Sequence, residues 1–410
     1  MKNYTKSTIR WLPVFKKNFS MGFKQKKDAF LFKVFLVLLL YVIVGMNGFS
    51  QSREETDLDI IKKIEKIIDY KLKKIDRATE SPLVFVSNSL PWRDWGYELD
   101  ENNRVVGFRL YKLELNESAL LHINQLKHLV WLEFNKNEIA DLSLLNGLNN
   151  LEELNITRTN IADITPLEDF PNLKHLDLSM TDIIDLSPLK HLINLQTLDL
   201  GRTDVTDLTP LRYLNNLEEL YIYGTDITDI TPLEDVSSLE LLGLSIKGKT
   251  DLSPLQHLIN LQVFEFVCNA PSDLTPLMHL TNLQTLSLRG ATITDIKPLK
   301  DLANLEVLFL KDTGITDFTP LAYLTILREL YMAGTTMTDI TPLKNLRELE
   351  EVDLRGIPIT RLPPWIVKWN SHLDLSEVFD GCPLQNPPMD IVKQGREAIR
   401  KYFAKKSEIK

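Results

Sequence analysis

Cysteine is nearly absent from this sequence: Cys268 and Cys382 are the two in 410 residues. Thiols so far apart make no disulfide framework, and no Cys/His spacing of the kind that ligates zinc is present. Histidine is scarce too, at seven, and no Ser/His/Asp or Cys/His arrangement stands out, so nothing points to an enzyme or to a cofactor. Basic charge is also short. The chain carries −9 overall, and its first 50 residues hold nine Lys/Arg against one Asp, so the remainder carries −17. Nucleic-acid binding rests on basic contacts to phosphates, which this balance excludes. A protein ligand with a basic surface matches it better. Long apolar runs are missing except for residues 34–46, VFLVLLLYVIVGM, which is shorter than the roughly 20 residues of a membrane-spanning helix.

That run belongs to a targeting segment. Lys24, Lys26 and Lys27 precede it, and Gly48-Phe49-Ser50 offers small residues for cleavage before Gln51. The reading is a signal peptide over residues 1–50, with Met21 as an alternative start, and no cysteine stands there for a lipid anchor. The alternative is a membrane-anchored envelope structural or assembly protein, held through an uncleaved segment at residues 29–48. Lysines before the run and Glu54, Glu55, Asp57 and Asp59 after it put the rest of the chain outside the cytoplasm in both cases. It is then exported to the periplasm, cell surface or medium, or anchored in the inner membrane.

What the chain has in abundance is repetition. Residues 194–215, NLQTLDLGRTDVTDLTPLRYLN, and 216–237, NLEELYIYGTDITDITPLEDVS, share one 22-residue pattern, and ten consecutive units run from 128 to 347. Such a fixed period marks a stacked solenoid. In the first of these units Leu195, Leu198, Leu200, Val205 and Leu208 are the inward residues. Leu198-Asp199-Leu200 alternates as a short strand with one buried face. Thr203 occupies a turn position shared with Asn137, Thr159, Thr181, Thr225, Thr313 and Thr335, where a polar side chain is expected to bond to backbone. The tail Asp207-Leu208-Thr209-Pro210-Leu211 is expected to start a 3-10 turn or short helix, with Thr209 as cap and Pro210 in the first turn. The fold class is therefore an α/β solenoid: a parallel concave sheet, short 3-10 or helical segments on the convex side, and helical caps at both ends.

These signals divide the chain into three parts. Residues 51–103 form a helical N-terminal cap region, with an amphipathic helix over 55–75 that places Ile60, Ile61, Ile64, Ile67, Ile68, Leu72 and Ile75 on one stripe. Residues 104–370 form about twelve coils. The first, 104–127, is longer and turns Val105, Phe108 and Leu110 inward. The last, 348–370, fits at Leu349, Val352, Leu354, Ile357 and Ile359 but has Arg361 in place of the usual Asp. Residues 371–410 form the C-terminal cap, with one helix over 389–403 turning Ile391, Val392, Ile399, Tyr402 and Phe403 inward.

The units resemble the 22-residue leucine-rich repeats of internalin-like bacterial surface proteins, over residues 104–370. Trp95-Gly96-Tyr97 with Asn103-Arg104-Val105-Val106-Gly107-Phe108 resembles the segment that opens such arrays. Cys382-Pro383-Leu384, Pro387-Pro388 and Ile391-Val392-Lys393-Gln394-Gly395 are similar to the closing segment of repeat proteins that continue into a Roc-type GTPase. That family has Asn where Cys382 stands, and no GTPase follows before Lys410. The resemblance implies the fold and a binding role, and no catalytic residue.

Three motifs point elsewhere. Residues 243–250, GLSIKGKT, spell the phosphate-binding G-x-x-x-x-G-K-T pattern. The repeat register already assigns Leu242 and Leu244 as inward leucines, however, and Pro254 interrupts the helix a phosphate loop requires. Ten aspartates recur at one position, from Asp141 to Asp339; each is expected to accept N–H groups at its own turn, since calcium wants more oxygen ligands than the unit offers. His257 and His279 occupy equivalent positions on the convex side, where two exposed histidines are expected and no metal.

The candidate partner-binding surface is the concave sheet face. Its residues are Trp131, Glu133, Asn155, Arg158, His175, Asp177, Asp199, Arg202, Tyr221, Tyr223, Val263, Glu265, Val267, Arg289, Phe309, Lys311, Tyr331 and Arg355. Aromatic and arginine side chains are the usual hot spots of protein interfaces, and no core position is available to these aromatics in this register. The coils at 238–281 break the pattern with Lys247, Lys249 and Pro271, which marks a bulge, a change of curvature or a binding spot.

Overall fold

The computed structural model describes residues 55–76, 95–113, 115–268 and 273–408. The expected signal peptide at 1–50 and Pro271 lie outside the described residues. Two units are distinguished, residues 1–56 and 57–410. In the second, every coil contributes one strand to a single sheet of fourteen strands arranged in sequence order. The strands are β1 (Lys73–Lys74), β2 (Gly96–Leu99), β3 (Val105–Tyr111), β4 (Trp131–Asn135), β5 (Glu153–Asn155), β6 (His175–Asp177), β7 (Thr197–Asp199) and β8 (Glu219–Ile222). They continue as β9 (Leu241–Ile246), β10 (Val263–Cys268), β11 (Thr285–Ser287), β12 (Val307–Phe309), β13 (Glu329–Tyr331) and β14 (Glu351–Asp353). From β4 onward each strand begins 22 residues after the last, and Cα partners such as Leu176↔Leu198 carry that period into the register. The sheet is parallel except at its start, where β2 and β3 form an antiparallel hairpin.

The inward leucines form one continuous core. Leu195, Leu198, Leu200, Val205, Leu208, Leu211 and Leu214 of one coil are all at most 1% exposed. No coil can bury that set by itself, because each side chain is covered by the coils before and after it. The return path is a 3-10 turn such as Thr209–Tyr213, with proline in its first turn. Asp207 rather than Thr209 caps it. The Thr209 N–H donates to Asp207 Oδ1 at 2.8 Å, and the turn already includes Thr209. The same bond recurs at all ten positions of the aspartate column. At Asp141, Asp163, Asp207 and Asp229 the hydroxyl and N–H two residues on hold the carboxyl below its usual range.

The threonine column also behaves as its position requires. Thr159, Thr181, Thr203 and Thr313 donate to the carbonyl three residues back. Thr335 is the exception; its buried hydroxyl has no partner among the described residues. A second ladder was not anticipated. Asn172, Asn194, Asn216, Asn260, Asn282 and Asn304 each donate from Nδ2 to a carbonyl 23 residues earlier, stitching each 3-10 side to the previous coil.

The ends depart from expectation. Helix α1 (Asp57–Ile68) is shorter than the apolar stripe suggests and buries Ile60, Ile61 and Ile64. Asp69 turns left-handed at φ 50°, Glu65 accepts the Leu72 N–H, and Lys73–Lys74 leave the helix to pair with β2. The N-terminal cap is therefore part helix and part sheet. Helix α2 (Glu117–Ile123) follows β3, capped by Asn116. At the other end α3 (Leu375–Val378) precedes a helix that is broken rather than continuous: α4 (Met389–Val392) ends, the chain turns at Gly395, φ 87°, and α5 (Arg396–Glu408) begins. Arg396 explains the break. It donates to the carbonyls of Ile366, Trp369, Asn370 and Leu373, so the chain turns there to close the last coil.

The irregular coils also have a physical cause. The turn after a strand normally holds a left-handed residue, such as Arg202 (φ 57°) or Gly224 (φ 69°). The equivalent residues here are Ile246 and Cys268. A β-branched isoleucine disfavours that conformation, so β9 and β10 run on and pair over six residues.

Candidate functional site

The 22-residue period places equivalent outward side chains side by side, strands about 4.8 Å apart. The central column reads Arg109, Glu133, Asn155, Asp177, Asp199 and Tyr221 from β3 to β8. It continues Gly243, Glu265, Ser287, Phe309, Tyr331 and Asp353 to β14.

Much of this face is covered, contrary to the expectation of exposed side chains. Trp131, Glu133, Asn155, Asp177, Asp199 and Tyr221 are buried. They point away from the leucine core and pack side by side against their cross-strand neighbours. The Trp131 indole rests on Gly107 of β3, where a Cβ would fall 1.9 Å from the ring, and its Nε1 donates to Glu98 at 2.7 Å. Arg109 pairs with Glu133 through two bonds of 2.5 and 3.1 Å, and its guanidinium lies 5.4 Å from the Trp131 ring centre. A buried charge is tolerable only when matched in this way.

Among the described residues the next two carboxylates have no such cation. Asp177 accepts from Asn155 Nδ2 at 3.0 Å and from the N–H and hydroxyl of Ser179. Asp199 accepts the Gly201 N–H at 2.7 Å. The two carboxylates are cross-strand neighbours. Burial pushes the Asp177 carboxyl up. Burial, then the neighbouring Asp177 charge, pushes Asp199 up to about 7. Asp199 is therefore partly protonated near neutral pH. Beside them His175 shares a 3.1 Å hydrogen bond with Thr197.

Beyond the pair, rings take over. Tyr221 donates to Glu219, and Tyr223 reaches over the bare Gly243 to donate to Glu265 at 2.6 Å. A Cβ at Gly243 would lie 2.3 Å from the Tyr223 ring. Burial raises both phenols, so they stay protonated donors. Further on, the Arg289 guanidinium sits 3.8 Å over Phe309, which stacks on Tyr331 at 4.5 Å and 10°. Tyr331 donates to Glu329. Arg289, Lys311 and Arg355 are exposed, and Arg355 grips Asp353 with two bonds. Arg158 lies half-buried against the Met180 sulfur at 2.8 Å, Arg202 is exposed, and Val267 is exposed beside half-buried Val263.

Glu98, Gly107, Arg109 and Gly243 complete this face but were not legible in the sequence. The period was the available signal, and it fails at Arg109 because that pair is spaced by 24 residues. Gly243 was read only as part of a phosphate-loop look-alike. Its segment is strand β9, Thr250 is buried with its hydroxyl on the Thr228 carbonyl, and the next helical turn starts at Ser253. Both cysteines are buried thiols, and Cys382 donates to the Leu354 carbonyl. His257 and His279 are exposed. Among the described residues no group of three or more His, Cys, Asp or Glu could hold a metal ion.

Comparison with known proteins supports the fold. The family model for leucine-rich repeats, in two copies, matches residues 171–213 and 281–323. An internalin, InlF, from Listeria monocytogenes is 26% identical, with a TM-score of 0.53 over 62% of this chain and 82% of that one. A leucine-rich repeat protein of Leptospira interrogans is 21% identical, with a TM-score of 0.60 over 71% and 74%. The Arabidopsis receptor kinase HAESA, solved with the peptide hormone IDA and a co-receptor, is 17% identical, with a TM-score of 0.56 over 75% and 55%. No curated protein sequence matches significantly. The repeats of this chain are leucine-rich repeats stacked as a solenoid. No helix among the described residues is long and apolar enough to cross a membrane.

Proposed function

We propose that this chain is an exported protein-interaction module that holds a protein partner on the outward face of its sheet. The observation that carries this reading is the set of aromatic and carboxylate side chains on that face, held by hydrogen bonds before any partner arrives. Side chains fixed in advance lose little entropy on binding. Trp131, Tyr221, Tyr223, Phe309 and Tyr331 each have a ring or hydrogen-bond partner. The Asp177–Asp199 pair, unmatched by a cation, favours a basic group on the partner. Glu133, by contrast, already has Arg109, whose guanidinium lies over the Trp131 ring.

InlF is a bacterial relative in fold, and HAESA was solved bound to a peptide hormone. The HAESA complex supports a binding role. The closing segment at 382–395, with its similarity to repeat proteins carrying a Roc-type GTPase, contributes the end cap and no chemistry. Export rests on the targeting segment at 1–50. Its test is the N-terminal sequence and cell fraction of native protein: a start at Gln51 outside the cytoplasm is expected, and an intact soluble cytosolic chain overturns export. The binding face is tested by crosslinking purified protein to its native extracellular partners. Phe309→Ala with Tyr331→Ala is expected to abolish the crosslink, and a crosslink that survives both changes sinks the assignment of the face.

A further inference from the structure

The charges on the sheet face are sorted by position along the strand. The carboxylates Glu153 and Glu219 stand at its first position, and Asp177, Asp199 and Glu265 in the central column. The cations Lys112, Lys136, Arg158 and Arg202 stand at the turn that ends it, with Arg289 and Lys311 one residue before that turn. Two charges cross the divide: Arg109, which is paired with Glu133, and Asp312, which lies among the cations. The face therefore carries an acidic lane and a basic lane running side by side along the stack. Arg202 and Lys112 make no ion pair among the described residues, so the lanes are not neutralised by each other there.

The basic lane is held against local preference. Its four turn residues have left-handed φ of 54°, 56°, 59° and 57°, at Lys112, Lys136, Arg158 and Arg202. Later coils use Gly224, Gly290, Gly334 and Gly356 at the equivalent place, and Met180 and Asp312 complete the column. Glycine adopts this conformation freely, whereas a long side chain is strained in it. Four strained cations in the first half of the stack, where glycine serves elsewhere, point to a use for the charge. The lanes are three residues apart in sequence across the turn, so at most about 10 Å apart. An α-helix with its side chains is about 10–12 Å across, so it bridges both.

Accepting the outward face as the binding surface, we propose that its occupant is a helical protein segment lying along the stack, with a cationic edge over Asp177 and Asp199 and an anionic edge over Arg158 and Arg202. The geometry fixes orientation as well as charge. A purely basic segment would meet the turn cations, and a purely acidic one the carboxylates.

The test uses the full mature chain and three synthetic alanine-based helices of about 20 residues, about 30 Å long. One carries Lys along one edge and Glu along the other, one Lys on both, one Glu on both. Fluorescence anisotropy at low salt is expected to show the dipolar helix binding about tenfold tighter than either control. In the Arg158→Gly/Arg202→Gly variant that preference is lost, while the melting temperature holds or rises because the left-handed strain is relieved. Equal binding of the all-Lys and dipolar helices by the wild-type chain overturns the two-lane inference and leaves a basic partner standing. Failure of every helix overturns it as well, and the crosslinking of native partners then decides separately whether the face binds at all.

Discussion

Replacing Asp199 by asparagine tests the acid pair where its energetics are most exposed to measurement. Asp199 is 9% exposed, and its carboxyl is raised from 3.8 to about 7 by burial and then by the Asp177 charge. In the unfolded chain it titrates at its ordinary value. Between these two values the folded chain binds more protons than the unfolded one, so stability falls as pH rises. Below the lower value both states are protonated and the effect vanishes. Above the upper one it reaches its full size, at most about 4 kcal/mol against the fold. The exposed aspartates at Asp163 and Asp207 act in the opposite sense. Their carboxyls are lowered, so their stabilisation is lost as pH falls. Comparing wild type with Asp199→Asn at each pH cancels them. Asparagine keeps an acceptor for the Gly201 N–H and can donate to Asp177. Guanidinium melts followed by far-UV circular dichroism are expected to give equal stabilities near about pH 3, with the variant ahead by a few kcal/mol above about pH 7. A difference that stays flat across that range refutes the reasoning.

The other predictions concern the ends and the covered rings. Arg109→Met leaves Glu133 buried without its cation and is expected to cost about 3–5 kcal/mol in the same melts. Gly107→Ala forces the Trp131 ring off β3, with an expected loss of about 1–3 kcal/mol and a changed near-UV tryptophan signal. Arg396→Ala removes the donor to four carbonyls of the last coil. Hydrogen exchange is expected to quicken over residues 364–408 and to stay unchanged over β4–β8, since coils couple only to their neighbours.

The coil itself was legible because its signals are local and repeated. Leu198 and Leu200, Thr203 and Asp207 each sit where one turn of chain decides their role, and ten copies average out the noise. The bounds of α1 and the break at Gly395 were not legible. Both depend on contacts that periodicity cannot express: Glu65 taking the Leu72 N–H, and Arg396 reaching four carbonyls. On the sheet face the period gave the right positions and the wrong exposure. Trp131 points outward as expected, but whether an outward ring is covered depends on what the next strand offers, here the bare Gly107. The asparagine ladder was present in every Asn-Leu that opens a unit. Its bonds run to the coil before, so no single unit displays the reason for it.

The constant spacing from β4 to β14 also governs which changes of length the chain can survive. Excising residues 194–215 removes Asp199 and Arg202 together and brings Asp177 beside Tyr221, with each inward leucine still facing the core. Excising one residue more or fewer turns every later leucine of that coil toward water. Gain or loss of whole coils is therefore the route by which such a stack changes size between generations. The 24-residue first coil, clamped by Arg109 and Glu133, and the last one, closed by Arg396, are the two units such exchange cannot replace.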